Sequence, residues 1–173
     1  MWYPKQDYPF ANVKTVSDGS TATVARGIPY FYLSPMDLSS MDFWKNPKAS
    51  LSFTLADQYC KEQDWIAQDP RCPRLLMTGA IERVDEEEEK EFAKDALFTR
   101  YETVGNTKSF ILFLPRYPVM ESWPSDHGWF FAKLVPESIL LLDQFGGAAD
   151  IDIDVFYGAQ TPEEELAGAL FSN

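Results

Sequence analysis

Ala49-Ser50-Leu51-Ser52-Phe53-Thr54-Leu55 alternates without a break. Leu51, Phe53 and Leu55 point one way, and Ser50, Ser52 and Thr54 point the other, the period of a half-buried β-strand. Similar signals lie on either side. Ile28 to Leu33 is an aromatic strand in which Pro29 marks a start or an edge. Arg74 to Ile81 is another strand, with Gly79 as a candidate bulge or close backbone approach. Gly128 to Val135 is apolar on both faces and belongs in the centre of a sheet. Ser138 to Asp143 reads as a further strand. Ile151-Asp152-Ile153-Asp154-Val155 is a last period-two run, following a tight turn at Phe145-Gly146-Gly147.

Helical signals are few. Pro35 to Trp44 is a short helix, with Met36, Ser39, Ser40 and Phe43 at helical spacing. Asp85 to Arg100 is the main helix. Asp85 is its candidate N-cap, and Glu86 to Glu89 crowd the first turn, where the macrodipole favours anions. Phe92, Ala93, Ala96 and Leu97 form its apolar stripe. The acidic run reads as a solvated helix face.

The 173 residues suit one domain. Hydrophobic residues make up 45% and aromatics 15%, which is enough apolar material for a packed core. The net charge of −12, from 15 basic and 27 acidic residues, argues against binding to nucleic acid or to an anionic membrane. The longest apolar run, Ser109 to Leu114, is far too short to span a bilayer. Met1 to Asp7 lacks the apolar core of a secretory signal. There are two cysteines, Cys60 and Cys72, and spacing alone leaves a disulfide and two free thiols equally open.

The residues show no recognisable catalytic set. The single histidine, His127, rules out His-rich metal motifs, and two cysteines with one histidine do not close a zinc site. His127 and Asp126 could act as a base and its orienter, but neighbours on an extended chain point apart, so His127 reads as a turn residue. Trp123 and Trp129 could stack on a planar ligand, but core packing is their ordinary role. Asp150, Asp152 and Asp154 share one face of the last strand. They lack the glycine loop and bidentate Glu of a calcium site and read as a solvated edge.

Several runs together resemble the CREG family of secreted or lysosomal glycoproteins. They include Pro9 to Val13, Ser17-Asp18-Gly19, Gly27 to Ser34, Asn46 to Leu51, Cys60 through Asp69-Pro70-Arg71-Cys72, Ala93 to Arg100, Trp123 to His127, Phe130 to Leu134 and Leu142 to Gly147. The resemblance implies a mainly β fold, the split β-barrel of the flavin mononucleotide (FMN)-binding, pyridoxamine-phosphate-oxidase-like class, with one main helix and shorter ones. It places the domain at residues 8–160, with a tail at 161–173. It also implies a homodimer, a possible protein partner or receptor, an extracellular or lysosomal location, and a disulfide between Cys60 and Cys72.

Flavin-binding relatives carry basic residues after the aromatic strand. Here Ser34 to Phe43 contains no cation and two acids, and Lys45 is the first basic residue. The resemblance therefore implies a vestigial flavin site, with no cofactor, no metal and no catalytic residues. The function implied is that of a non-catalytic binding or regulatory protein. The alternative is an FMN-dependent oxidoreductase. The chain as given lacks the family's signal peptide and opening strand, and it lacks a glycosylation sequon. Residues 102–117 form an insertion flanked by Arg100-Tyr101 and Arg116-Tyr117, expected to be a retained intron translated in frame.

Overall fold

The structure is a computed structural model that describes residues 8–19, 25–99, 117–144 and 147–159. The elements are β1 (Tyr30–Leu33), α1 (Leu38–Phe43), β2 (Lys48–Thr54), β3 (Arg74–Arg83), α2 (Glu87–Phe98), β4 (Phe130–Leu142), β5 (Ala148–Ile151) and α3 (Ile153–Gly158). The sheet order is β1-β4-β3-β2, with β5 also paired to β4. The chain divides into two units, residues 1–50 with 78–135 and residues 51–77 with 136–173, and β2, β3 and β4 each run from one into the other.

In the first unit, β1 lies antiparallel to β4, with Tyr30 opposite Lys133 and Tyr32 opposite Phe131. Opposed residues share a face. Tyr30, Tyr32, Phe131 and Lys133 therefore point together toward α2. Tyr30, Phe92, Ala93, Ala96, Leu97, Phe98, Val84 and Met120 form the core beneath that helix. The apolar stripe expected from spacing is the buried stripe observed. Its N-terminus differs from expectation. Glu86 occupies the cap position without a side-chain cap bond, and Asp85 instead accepts from Arg83 Nε at 2.9 Å. The helix stops at Phe98, where Thr99 Oγ1 donates to Asp95 Oδ1 at 2.6 Å.

The acidic first turn is not wholly solvated. Glu89 turns inward and accepts from Lys133 Nζ at 2.9 Å on both carboxylate oxygens and from the Tyr30 hydroxyl at 3.0 Å. Burial alone would raise the Glu89 pKa. The bonds from Lys133 and Tyr30 outweigh it and hold the carboxyl below its ordinary value. Burial, reinforced by Glu89, pushes the Tyr30 hydroxyl up to about 12.

In the second unit, β4 and β5 are antiparallel, with Ile139 opposite Ile151 and Leu142 opposite Ala148. Cys60 and Cys72 are joined by a disulfide that closes the connection from β2 to β3. Both cysteines are fully buried. Inside that loop the Arg71 guanidinium lies 4.6 Å from the Trp65 ring centroid. Arg71 also grips Asp69 with two bonds, at 2.9 and 2.7 Å, and holds that carboxyl down to about 2. Gln144 N donates to Pro70 O at 2.8 Å and ties the end of β4 to the same loop.

Two strand expectations are corrected. The expected strands at Gly128 to Val135 and Ser138 to Asp143 are parts of one strand, β4, which runs from Phe130 to Leu142. Pro136 falls between the stretch paired with β1 and the stretch paired with β5, so its missing N–H removes a bond from neither. The run Ile151 to Val155 does not continue as a strand beyond Ile151, the last residue of β5. Asp152 accepts from Asp154 N at 2.9 Å and Val155 N at 3.1 Å, and this cap starts α3. Capping chemistry overrides the alternation. Strand β2 alternates exposed and half-buried residues as its sequence implies. Gly79 lies buried within β3, which continues through it.

Two outcomes follow for stability. Glu89→Gln leaves the half-buried Lys133 without a counter-charge, and we expect chemical denaturation at neutral pH to show a loss of about 1–3 kcal/mol. A depressed folded pKa stabilises above the unfolded carboxylate value and is lost as pH falls through the folded value. The gap between wild type and Glu89→Gln should therefore hold at neutral pH and close only below about pH 4. Replacing both cysteines by serine should cost about 2–4 kcal/mol in the same assay, for so short a loop.

Candidate functional site

The segment that follows β1 is held by several specific contacts. Ser34 Oγ donates to His127 O at 2.8 Å and accepts from Met36 N at 3.2 Å. Asp37 then caps α1, accepting from Ser39 N at 2.7 Å. This cap begins the helix at Leu38, later than the expected Pro35. Lys14, from the extended amino-terminal segment, pairs with the Asp37 carboxylate, and Asn12 Nδ2 donates to Ser39 Oγ at 3.2 Å. Burial opposes ionisation of Asp37, but the bonds from Lys14 and Ser39 prevail and lower its pKa.

The arrangement is thus a helix start closed by an acid, whose charge is met by a lysine from elsewhere in the same chain. Beside it, Met36 is 70% exposed and Trp44 51% exposed. Trp44 leans on Phe130 with ring centroids 5.4 Å apart.

On the α2 side, Tyr32 stacks on Trp129 at 5.1 Å, and Trp123 lies 4.6 Å from Trp129. Trp129 Nε1 donates to Pro124 O at 2.9 Å, which fixes its ring. Phe98 and Phe131 close the group at 5.0 Å each from Tyr32. Trp123 and Trp129 pack against Tyr32 and against each other while remaining half-buried.

His127 lies in a short 3-10 turn, Ser125–His127. Its Nε2 is 3.9 Å from Asp126 Oδ1, too far for a hydrogen bond. The structure does not assemble a base and an orienter there. Asp150, Asp152 and Asp154 do not share a strand face as expected. Asp150 is in β5, Asp152 caps α3, and Asp154 is in that helix's first turn. Among the described residues, no group of three His, Cys, Asp or Glu side chains is placed to hold a metal. Phe145, Gly146 and residues 102–116 of the insertion lie outside the described residues, as does the tail at 161–173. No helix of the described residues is long and apolar enough to cross a membrane.

Sequence reading missed two features. Glu89 looked like one acid among four, and its contacts with Lys133 and Tyr30 distinguish it. Lys14 was not connected to Asp37, 23 residues away. A lone basic residue in an apolar strand, as Lys133 is, is the one sequence signal that could have prompted a search for a buried partner.

Comparison with known proteins places this geometry. The chain is 38% identical to human CREG1 over 150 residues, 86% of this chain and 60% of that protein. It is 37% identical to chicken CREG1 over 154 residues, 88% of this chain and 71% of that protein. Human CREG2 is 36% identical over 155 residues, 89% of this chain and 47% of that protein. The chain therefore spans about 60% of the human CREG1 length.

Among solved structures, a heme binding protein from Mycobacterium smegmatis superposes with a TM-score of 0.57 at 11% identity, covering 86% of this chain and 55% of that one. The protein Atu2129 from Agrobacterium tumefaciens gives 0.53 at 16% identity, covering 88% and 50%. These likenesses concern the fold, which is the mainly β split barrel expected from the sequence. The family model for the CREG β-barrel matches residues 3–107 and 107–158, two stretches that meet inside the 102–117 segment. The chain belongs to the CREG β-barrel family.

Proposed function

We propose that this chain is a non-catalytic binding protein of the secretory or endolysosomal route, acting as a homodimer and holding no flavin. The observation that carries the reading is the segment after β1. A flavin phosphate needs a fork of Arg or Lys donors. Ser34 to Phe43 offers an aspartate instead, and the lysine that reaches this place, Lys14, is already committed to it. A phosphate beside Asp37 would have to compete for Lys14 against a carboxylate that is already paired with it and held by Ser39 N. The residues present do not fit the group.

Two further features support the rest of the reading. The Cys60–Cys72 disulfide suits an oxidising compartment. The exposed side chains of Met36, Leu38 and Trp44 gather around α1 and offer an apolar contact for a second copy.

Purified protein reconstituted with excess FMN and passed through gel filtration should elute at the dimer mass without visible flavin absorbance. Elution with stoichiometric flavin would overturn the cofactor reading. Elution at the monomer mass would overturn the dimer while leaving the cofactor reading intact.

A further inference from the structure

The loop between β2 and β3 holds apolar side chains out to solvent on a fixed backbone. A helical turn begins at Ala56. Asp64 N closes it by donating to Lys61 O at 3.1 Å, and Trp65 N by donating to Cys60 O at 2.8 Å. This is the Schellman closure, with Asp64 at the left-handed position (φ 56°) that glycine usually takes. Further on, Asp69 N donates to Ile66 O and Cys72 N to Asp69 O, each at 2.9 Å. The Cys60–Cys72 bond joins the two ends.

On this frame Ile66 is 71% exposed. Its neighbour Trp65 is half-buried and meets the exposed Tyr59 ring edge-on, with centroids 5.8 Å apart. Arg71 lies over Trp65, and Asp69 fixes its guanidinium. One exposed hydrophobic is ordinary, but this one adjoins an aromatic pair and a held arginine. Trp, Tyr and Arg are the residues that carry most binding energy in interfaces. A contact surface that is already ordered also loses less entropy when a partner lands on it.

The charge of the loop says what kind of partner fits. Residues 56–72 carry four acids and two bases. Asp69 and Arg71 answer each other. Asp57, Glu62 and Asp64 are exposed and take part in no ion pair among the described residues, with only Lys61 to offset them. A second copy would bring the same acids on a chain of net charge −12, and like charges across an interface are costly. We propose that this loop docks a basic, amphipathic segment of a partner protein. Ile66, Trp65 and Tyr59 take its apolar side chains, and Asp57, Glu62 and Asp64 attract its lysines or arginines. The proposal rests on the reading of this chain as a binding protein. Retained flavin would fail that reading, whereas the results below bear on the loop alone.

Fluorescence anisotropy of three labelled synthetic peptides with the full chain tests the proposal. One alternates leucine and lysine, one leucine and glutamate, and one serine and lysine. The leucine–lysine peptide should bind, and more weakly as salt rises. The leucine–glutamate peptide should not bind, and the serine–lysine peptide should bind about tenfold more weakly than the first, the loss of one apolar anchor. Ile66→Ser should weaken the leucine–lysine complex by a similar factor. Asp64→Gly keeps the left-handed turn, removes one charge, and should weaken it less. Val119→Ser, at a residue outside the loop that is 58% exposed, should change nothing. In the wild type the Trp65 indole N–H resonance should move on peptide addition, a readout that needs no variant to fold. Equal binding of the two lysine peptides, or no effect of Ile66→Ser, would mean attraction to net charge only and overturn the proposal. So would a drop in the gel-filtration mass of Ile66→Ser, because a second copy would then be what covers the loop.

Discussion

The first unit depends on a charge placed where helix and sheet meet. Glu89 is carried inward by α2, and Lys133 and Tyr30 face it from β4 and β1. Apolar packing of Phe92, Ala93, Ala96 and Leu97 supplies the drive to dock the helix. It does not fix rotation or register, because a stripe of similar residues tolerates small slides. A carboxylate that must meet both an ammonium and a phenol at about 3 Å does not. The Arg26 guanidinium, 3.7 Å from the Phe92 ring centroid, closes the same corner from the segment before β1. The β1–β4 register therefore carries two duties: it pairs the strands, and it sets Tyr30 beside Lys133 to receive the helix.

Much of this fold was legible in the sequence, and the reasons are physical. The strict alternation of β2 and the apolar stripe of α2 follow from side-chain direction in a single element. The boundaries were less legible. Asp85 and Glu86 are both acids at a helix start, and only the competing pull of Arg83 on Asp85 separates them. Ile151 to Val155 satisfies a strand pattern by count, yet Asp152 bonds two backbone amides and turns the chain into a helix. Gly128 to Val135 and Ser138 to Asp143 read as separate strands because the effect of Pro136 depends on which stretches of β4 are paired.

The site was legible in composition but not in contact. The absence of a cation between Ser34 and Phe43 could be read directly, whereas the use of Lys14 as the counter-charge of Asp37 could not. A lysine reaching back 23 residues to a helix cap is tertiary information. The same holds for Arg74. As a residue it is one more strand-opening arginine; as an atom, its Nε has no hydrogen-bond partner among the described residues.

The acids that do find partners also bear on where such a protein can work. Glu89, Asp37 and Asp69 all have lowered pKa values. The contribution of a carboxylate with a lowered folded pKa is complete above the ordinary carboxylate range and disappears only as pH falls through the lowered value. Mild acidification therefore protonates unpaired surface carboxylates first. That reduces the self-repulsion of a chain carrying −12 while the paired acids remain ionised. A fold stapled by ion contacts of this kind meets moderate acid with its internal pairs intact and its repulsive surface charge diminished, which suits the endolysosomal setting proposed for it.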